Sequence, residues 1–518
     1  MPEWLILRTD LGSKREPEFE VRAEIADQAK WYNSPRILAC TFAVAVVLAL
    51  LLQWHDYFLF DEYVSPPGDQ GSYLAAQYLV GHGLRPELDF RYLYGLLPLL
   101  IGKIPFDAFG YSPLTYAVAA TVIELFVAVG VARIAVALEL KVSGLLLVLL
   151  TLPLLISRYD NLAYALEAAF LTNAFAEQLR GRLDLAITLA LCAALCKPAI
   201  GYVYAAVLLF FLLSDVARGR MRRIEIARTL RPALVTGVAL ALVLAAVFGA
   251  GSLFWTIVPV RGLSDYLASG QLGMQFRQVI FLRPPGVNWH YYVGTYVTFW
   301  LIGALWLVTE AIASFVEWIG GYETGLGRFV LTMGLLALAN FLLFDGRYQY
   351  IVVPIGVIAC ASGGRWQRPM AIGLCLIAIP AFIGRMRSEV TFTKVASGDA
   401  VTAWLWTAPE LKSEWERAMA ISTGKETAVL GEQGGPGLVL SGIAPPAGAY
   451  FTRHFTAAVD LRREYDDLAA AQVVVLFYPY PDEKRTVLDD SPSLRLAVSD
   501  DHAVYQGRYL KVLERTKR

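Results

Sequence analysis

The chain has no net charge: 45 lysines and arginines are matched by 45 aspartates and glutamates over 518 residues. That balance excludes a general affinity for nucleic acid or for anionic partners. Charge of either sign is also scarce, at 17% of residues, where a soluble domain carries roughly a quarter. Cysteine is sparse. All five (Cys40, Cys192, Cys196, Cys360 and Cys375) fall in apolar runs, so the polar C-terminal stretch has no disulfide framework and the thiols read as small core residues. Residues 1–36 contain no apolar run; the first begins near Ile37, too late for a cleavable signal peptide, so a retained first span is expected.

What remains is overwhelmingly apolar. Hydrophobic residues make up 56% of the chain and the mean hydropathy is +0.49. Runs long enough to cross about 30 Å of hydrocarbon recur through the first three quarters. The expected architecture is a polytopic α-helical membrane protein with a small C-terminal α/β domain outside the cytoplasm. Its divisions are a cytoplasmic leader at 1–36, a transmembrane region at 37–384 with outer loops at 55–112 and 251–290, and a C-terminal domain at 385–518.

Hydropathy predicts about eleven spans. They cover 37–54, 113–138, 142–157, 161–179, 183–196, 199–214, 232–250, 291–309, 329–344, 350–361 and 370–384, with 183–214 open to being one hairpin kinked at Lys197-Pro198. Basic residues crowd the leader, the turn Arg180-Gly181-Arg182, the segment from Arg218 to Arg231 and the turn holding Arg365 and Arg368. These all fall on one side when the N-terminus is cytoplasmic, and an odd number of spans then puts the C-terminal domain outside. Trp31, Tyr32, Trp54 and Tyr57 flank the first span as interfacial anchors.

On that topology the outer face carries few cations, which makes each of them informative. They are Arg85, Arg91, Lys103, Arg158, Lys197, Arg261, Arg277, Arg283 and Arg347. Singly, each fits interfacial snorkelling or a packing ion pair. Together they suggest an outer-leaflet site for an anionic ligand, and a lipid phosphate is the natural candidate.

The segment from Ser65 to Leu100 interleaves carboxylates with tyrosines: Asp69 and Asp89 lie among Tyr73, Tyr78, Tyr92 and Tyr94, with His82, Arg85 and Arg91 nearby. Asp69 follows Pro66-Pro67-Gly68 and precedes a helical pattern, so it reads either as an N-cap or as a base at a membrane mouth. Asp61-Glu62 is a rival acidic pair. Asp89 reads as a partner for Arg91 or Arg85, and Asp160 as a cap for the next helix. Asp69, His82, Asp89 and Asp160 comprise the oxygen and imidazole ligands a divalent cation such as Mg or Mn takes, but no local ligand spacing joins them. His290 sits in an aromatic cluster, Trp289-His290-Tyr291-Tyr292.

At these residues the chain resembles the GT-C superfamily of integral membrane glycosyltransferases. The resemblance runs through Asp69-Gln70-Gly71-Ser72-Tyr73, Gly81-His82-Gly83, Leu88-Asp89-Phe90 and Tyr94-Gly95-Leu96-Leu97-Pro98-Leu99. It continues in Tyr159-Asp160-Asn161, Cys196-Lys197-Pro198 and Gly346-Arg347-Tyr348. The C-terminal strand-like runs at 428–432, 472–476 and 509–513 resemble the outer domain of bacterial members. Asp69-Gln70 departs from the paired acids of many relatives, which puts metal dependence, though not a single base, in doubt.

The resemblance implies inverting transfer of a monosaccharide from a polyprenyl-phosphate donor to a hydroxyl of a glycan, lipid or protein acceptor, on the outer face of the bacterial cytoplasmic membrane. Asp69 is then the general base. Lys197, Arg277, Arg283 and Arg347 are the cations for the donor phosphate, and Tyr73, Tyr92, Tyr94 and His290 are candidates to contact sugar or acceptor. Asp89, Asp160 and His82 stand as a second acidic or metal-binding set. Two other classes compete. One is a transporter or flippase of a lipid-linked or anionic substrate, disfavoured by the lack of repeated halves and by polar groups gathered on one face. The other is an outer-face polysaccharide polymerase or ligase.

Overall fold

The structure is a computed structural model describing residues 43, 68–90, 92, 94–111, 113–140, 162–258, 302–322, 324–343, 349–362, 369–374, 376, 393–396, 404–407, 409–430, 468–478, 486–490 and 492–515. The expected span 142–157, all of 37–54 but residue 43, and most of 291–309 and 370–384 therefore lie outside the described residues, as do Asp160, Arg277, Arg283, His290 and Arg347.

The helical part begins with α1 (Gly68–Gly81) and α2 (Leu96–Phe109) and continues with α3 (Pro113–Ala137), α4 (Leu162–Leu179), α5 (Leu183–Cys196) and α6 (Ile200–Ala217). Then come α7 (Arg223–Phe248), α8 (Ala250–Ile257), α9 (Gly303–Gly320), α10 (Gly325–Leu343) and α11 (Gln349–Ser362). Four of these, α3, α6, α7 and α9, are long and apolar enough to cross a membrane. Their outer surfaces are apolar too: Phe126 on α3, Leu234 and Leu242 on α7 and Val316 on α9 are exposed. Large aliphatic groups on the outside of a well-filled core are what a hydrocarbon solvent selects.

Small residues let the helices approach closely. A Cβ on Gly130 of α3 would meet the Thr172 hydroxyl of α4 at 2.2 Å, and one on Gly334 of α10 would meet the Ala311 Cβ of α9 at the same distance. Buried polar groups tie neighbours together. Gln178 of α4 donates to the Thr332 hydroxyl of α10 at 2.9 Å and accepts from the Tyr204 hydroxyl of α6 at 3.0 Å.

One end of the bundle is strongly charged. Glu177, wholly buried near the end of α4, is paired with Arg133, Arg180 and Arg182. Asp215 of α6 takes two hydrogen bonds from Arg328 of α10, at 2.8 and 3.0 Å. Arg218 donates to the Trp318 carbonyl and lies 4.0 Å from that indole. The turns Arg180-Gly181-Arg182 and Arg218–Arg222 lie at this end.

Two spans differ from expectation. α7 starts at Arg223 rather than 232, because the Glu225 carboxylate accepts from the Arg222 backbone amide and Nε, each at 3.0 Å, and fixes the helix start within the basic segment. α9 runs on to Gly320 although the expected span ended at 309. Glu310 stands just past that expected end, and Trp306 donates its indole N–H to it at 3.2 Å within the helix. Gly321 closes α9 in the left-handed conformation, with φ of 82°.

Towards the C-terminus β1 (Thr393–Ala396) and β2 (Trp404–Thr407) form an antiparallel pair. After α12 (Pro409–Ser422), strands β3 (Thr427–Leu430), β4 (Val473–Phe477), β5 (Asp501–Gln506) and β6 (Leu510–Arg515) form a sheet in the order β3-β4-β6-β5. β3 and β4 are parallel and every residue in both is buried, as expected of strands covered on two faces. Trp415 and Ala418 of α12 pack on Val475 and Phe477.

Candidate functional site

The chain breaks between α5 and α6 at Lys197-Pro198-Ala199. Proline disfavours the helical conformation in the residue before it, and Lys197 is extended, with φ −147° and ψ 119°. The break yields two separate antiparallel helices, and they stay close because Gly201 lies against the Ala194 backbone. The break also turns a lysine inward at the end of the bundle opposite the arginine-rich one.

Lys197 is 7% exposed. Its Nζ donates to the Tyr164 hydroxyl at 2.8 Å and lies 4.0 Å from the centre of that ring and 5.7 Å from that of Tyr94. Ring faces carry negative electrostatic potential and stabilise a desolvated ammonium. Tyr164 comes from the first turn of α4, whose Leu162 amide donates to the Tyr116 hydroxyl of α3 at 3.1 Å. Tyr94 packs edge-on against both Tyr92 and Tyr164.

The loop from His82 to Gly95 delivers Tyr92 and Tyr94 to this place. Glu87, at φ 63°, accepts the Tyr92 amide at 2.7 Å and donates its own amide to the Phe90 carbonyl at 2.7 Å. Such a φ is costly for a non-glycine residue and persists where its surroundings hold it. Gly95 then donates to the Cys196 carbonyl at 2.7 Å, and a Cβ there would stand 1.8 Å from the Leu195 carbonyl oxygen. Only glycine allows the loop to meet the last turn of α5 directly beside Lys197.

Glu167 completes the cluster. It lies one turn along α4 from Tyr164, is 0% exposed, and among the described residues neither carboxyl oxygen has a hydrogen-bond partner. The Lys197 charge acts on it electrostatically. It is not among the residues singled out from the sequence, although a signal existed: it is the only charged side chain between Leu162 and Ala176 in a predicted span. An ionisable group at membrane depth marks a functional position by default.

The remaining expected site residues fall in different places. Asp69 occupies the first described turn of α1, inside the helix rather than ahead of it. Tyr73 is wholly buried; its hydroxyl donates to the Pro98 carbonyl at 2.6 Å and accepts from Gln77 at 2.8 Å, so ring and hydroxyl are both committed to the α1–α2 contact. Asp89 is held by Arg85 through the backbone amide at 2.8 Å and Nε at 3.0 Å. His82 Nδ1 is 2.8 Å from the Tyr78 carbonyl, with its ring against Tyr78. Among the described residues no three His, Cys, Asp or Glu side chains gather to hold a metal. Asp89 and His82 are engaged within their own loop, so no step below is routed through a cation.

No protein-family model matches the chain, and no curated protein matches it. Among solved structures, ArnT from Cupriavidus metallidurans is similar in two crystal forms. The one bound to undecaprenyl phosphate gives a TM-score of 0.42 at 13% identity, covering 91% of this chain and 97% of that one. The apo form gives 0.40 at 12%, covering 92% and 98%. A likeness of this degree assigns neither fold nor activity.

Proposed function

We propose that the chain is a membrane glycosyltransferase of the GT-C type. On this reading it moves a monosaccharide from a polyprenyl-phosphate donor to an acceptor hydroxyl at the outer face of the cytoplasmic membrane, with inversion. The observation that carries the proposal is Lys197: a nearly buried ammonium in a cage of tyrosines, at the end of the bundle opposite the arginine-rich turns. The order of acidic, aromatic and glycine residues from Asp69 to Leu99 supports it independently.

Transfer breaks the bond between the anomeric carbon and the phosphate oxygen, and that electron pair ends on the phosphate. The acceptor oxygen attacks the opposite face of the same carbon as its proton passes to a carboxylate, for which Asp69 is the candidate. The leaving phosphate is a weak base and needs cations rather than an acid. Lys197 is the candidate to meet it, with Arg277, Arg283 and Arg347, and a pre-positioned donor of this kind is worth about 100- to 1,000-fold in rate. Tyr92, Tyr94 and His290 are candidates to contact sugar or acceptor, and the C-terminal sheet lies on the same outer side.

The test is Asp69→Asn in membranes given a radiolabelled polyprenyl-phosphate sugar. Normal expression and donor binding with transfer reduced at least ~100-fold is expected, the scale of a lost general base; undiminished transfer removes Asp69 from that role. The same assay separates a transporter, which would move label across the bilayer without forming a glycosidic bond.

A further inference from the structure

A second feature lies at the arginine-rich end, remote from Lys197. Between the last turn of α6 and the first three turns of α7 runs an open groove of about 810 Å³. Leu213 and Val216 form one wall, Leu230 and Leu234 continue it along α7, and Arg223 and Arg231 lie on the same stripe. Leu213, Leu234 and Val235 are more than half exposed. The groove exists because α7 is helical through the basic segment, which hydropathy alone leaves as a loop.

We infer that this groove binds an anionic phospholipid, with its phosphodiester between Arg223 and Arg231 and its acyl chains along the apolar wall. Eight residues separate the two arginines, about 12 Å of helix rise. Helical side chains lean towards the N-terminus, so Arg231 reaches back from within the bilayer towards the headgroup region and Arg223. Several neighbouring charges are engaged elsewhere: Arg222 pairs with Glu225, Asp215 with Arg328, and Arg218 lies on Trp318. Among the described residues, Arg223 and Arg231 form no ion pair, which leaves two positive groups at the lip of an apolar channel. A basic pocket between helices on the positively flanked side is the arrangement that retains an anionic headgroup. A zwitterionic lipid satisfies the apolar wall equally well but meets the arginines with no net charge. Selectivity for the anion is therefore the property that identifies the site.

The experiment is native mass spectrometry of the delipidated full-length chain in detergent. The probe is an equimolar mixture of phosphatidylglycerol and phosphatidylcholine with the same acyl chains. The wild type is expected to retain phosphatidylglycerol at least about 5-fold better, and the double variant Arg223→Gln/Arg231→Gln to retain both equally. Equal retention by the wild type, or a preference that survives in the double variant, overturns the assignment. If that variant does not fold, Leu234→Trp, which fills the groove from its exposed wall, is expected to lower phosphatidylglycerol retention by the same factor. Undiminished retention there equally overturns it. None of these residues belongs to the Lys197 cluster, so the outcome is independent of whether the chain transfers sugar.

Discussion

The Lys197 ammonium donates to the Tyr164 hydroxyl at 2.8 Å while lying 4.0 Å from the centre of the same ring. One aromatic side chain thus supplies both an acceptor and a π face to a cation brought indoors by a proline break. Tyr164→Phe removes the acceptor and keeps the face. Sugar transfer is expected to fall at least ~10-fold, the cost of one hydrogen bond to a charged group. Tyr164→Leu removes both and is expected to cost more. Steady-state transfer assays on the two variants check the order.

Glu167 presents the opposite balance. A wholly buried carboxyl with neither oxygen hydrogen-bonded among the described residues carries the desolvation cost of an unsatisfied polar group. Glu167→Leu fills the same space without a polar group. It is expected to raise the thermal unfolding midpoint by about 2–4 °C, roughly the return of 1 kcal/mol or more. Transfer is expected to fall at least ~10-fold, since a destabilising group at a site is kept for its function. A lowered midpoint would mean that the carboxyl is structurally required.

Gly95→Ala places a methyl 1.8 Å from the Leu195 carbonyl oxygen. Backbone on both sides prevents relaxation, so the loop must lose its bond to the Cys196 carbonyl. A destabilisation of roughly 2–4 kcal/mol is expected, along with loss of transfer even in protein that folds. Thermal unfolding in detergent measures the first and the transfer assay the second.

In the C-terminal sheet the hydrogen bond from Lys425, at 2.6 Å, holds the Glu514 carboxyl below its ordinary range. A folded-state pKa below the unfolded value stabilises the fold above that unfolded value, about 4.3 for glutamate. The contribution is lost as pH falls through the lower, folded value. Lys425→Met should therefore weaken hydrogen-exchange protection of β6 at neutral pH. The difference from wild type should vanish in acid, after correction for intrinsic exchange.

Much of this arrangement is legible from residue order. The hairpins α4 to α6 follow from apolar runs punctuated by Arg180-Gly181-Arg182 and Lys197-Pro198, and β3 and β4 from unbroken buried runs such as Val473-Val474-Val475. What stayed hidden depends on contacts between distant segments. β5 is an edge strand with few apolar residues facing inward and shows no hydrophobic pattern. Tyr73 looks like a site aromatic until its hydroxyl is found bonded to the Pro98 carbonyl, 25 residues away. Asp89 is settled by its neighbour Arg85, an outcome the sequence anticipates. Glu167 is the instructive omission, because inside Ala165-Leu166-Glu167-Ala168 it reads as an ordinary helix former.

The central claim is that Lys197 meets the phosphate of a polyprenyl-phosphate donor. The most direct measurement is equilibrium binding of polyprenyl phosphate to the purified full-length chain, comparing wild type with Lys197→Met. Loss of a charge-assisted contact of about 1.5–3 kcal/mol predicts affinity lowered at least ~10-fold, with the thermal midpoint little changed. Equal affinity for the two proteins would contradict the account.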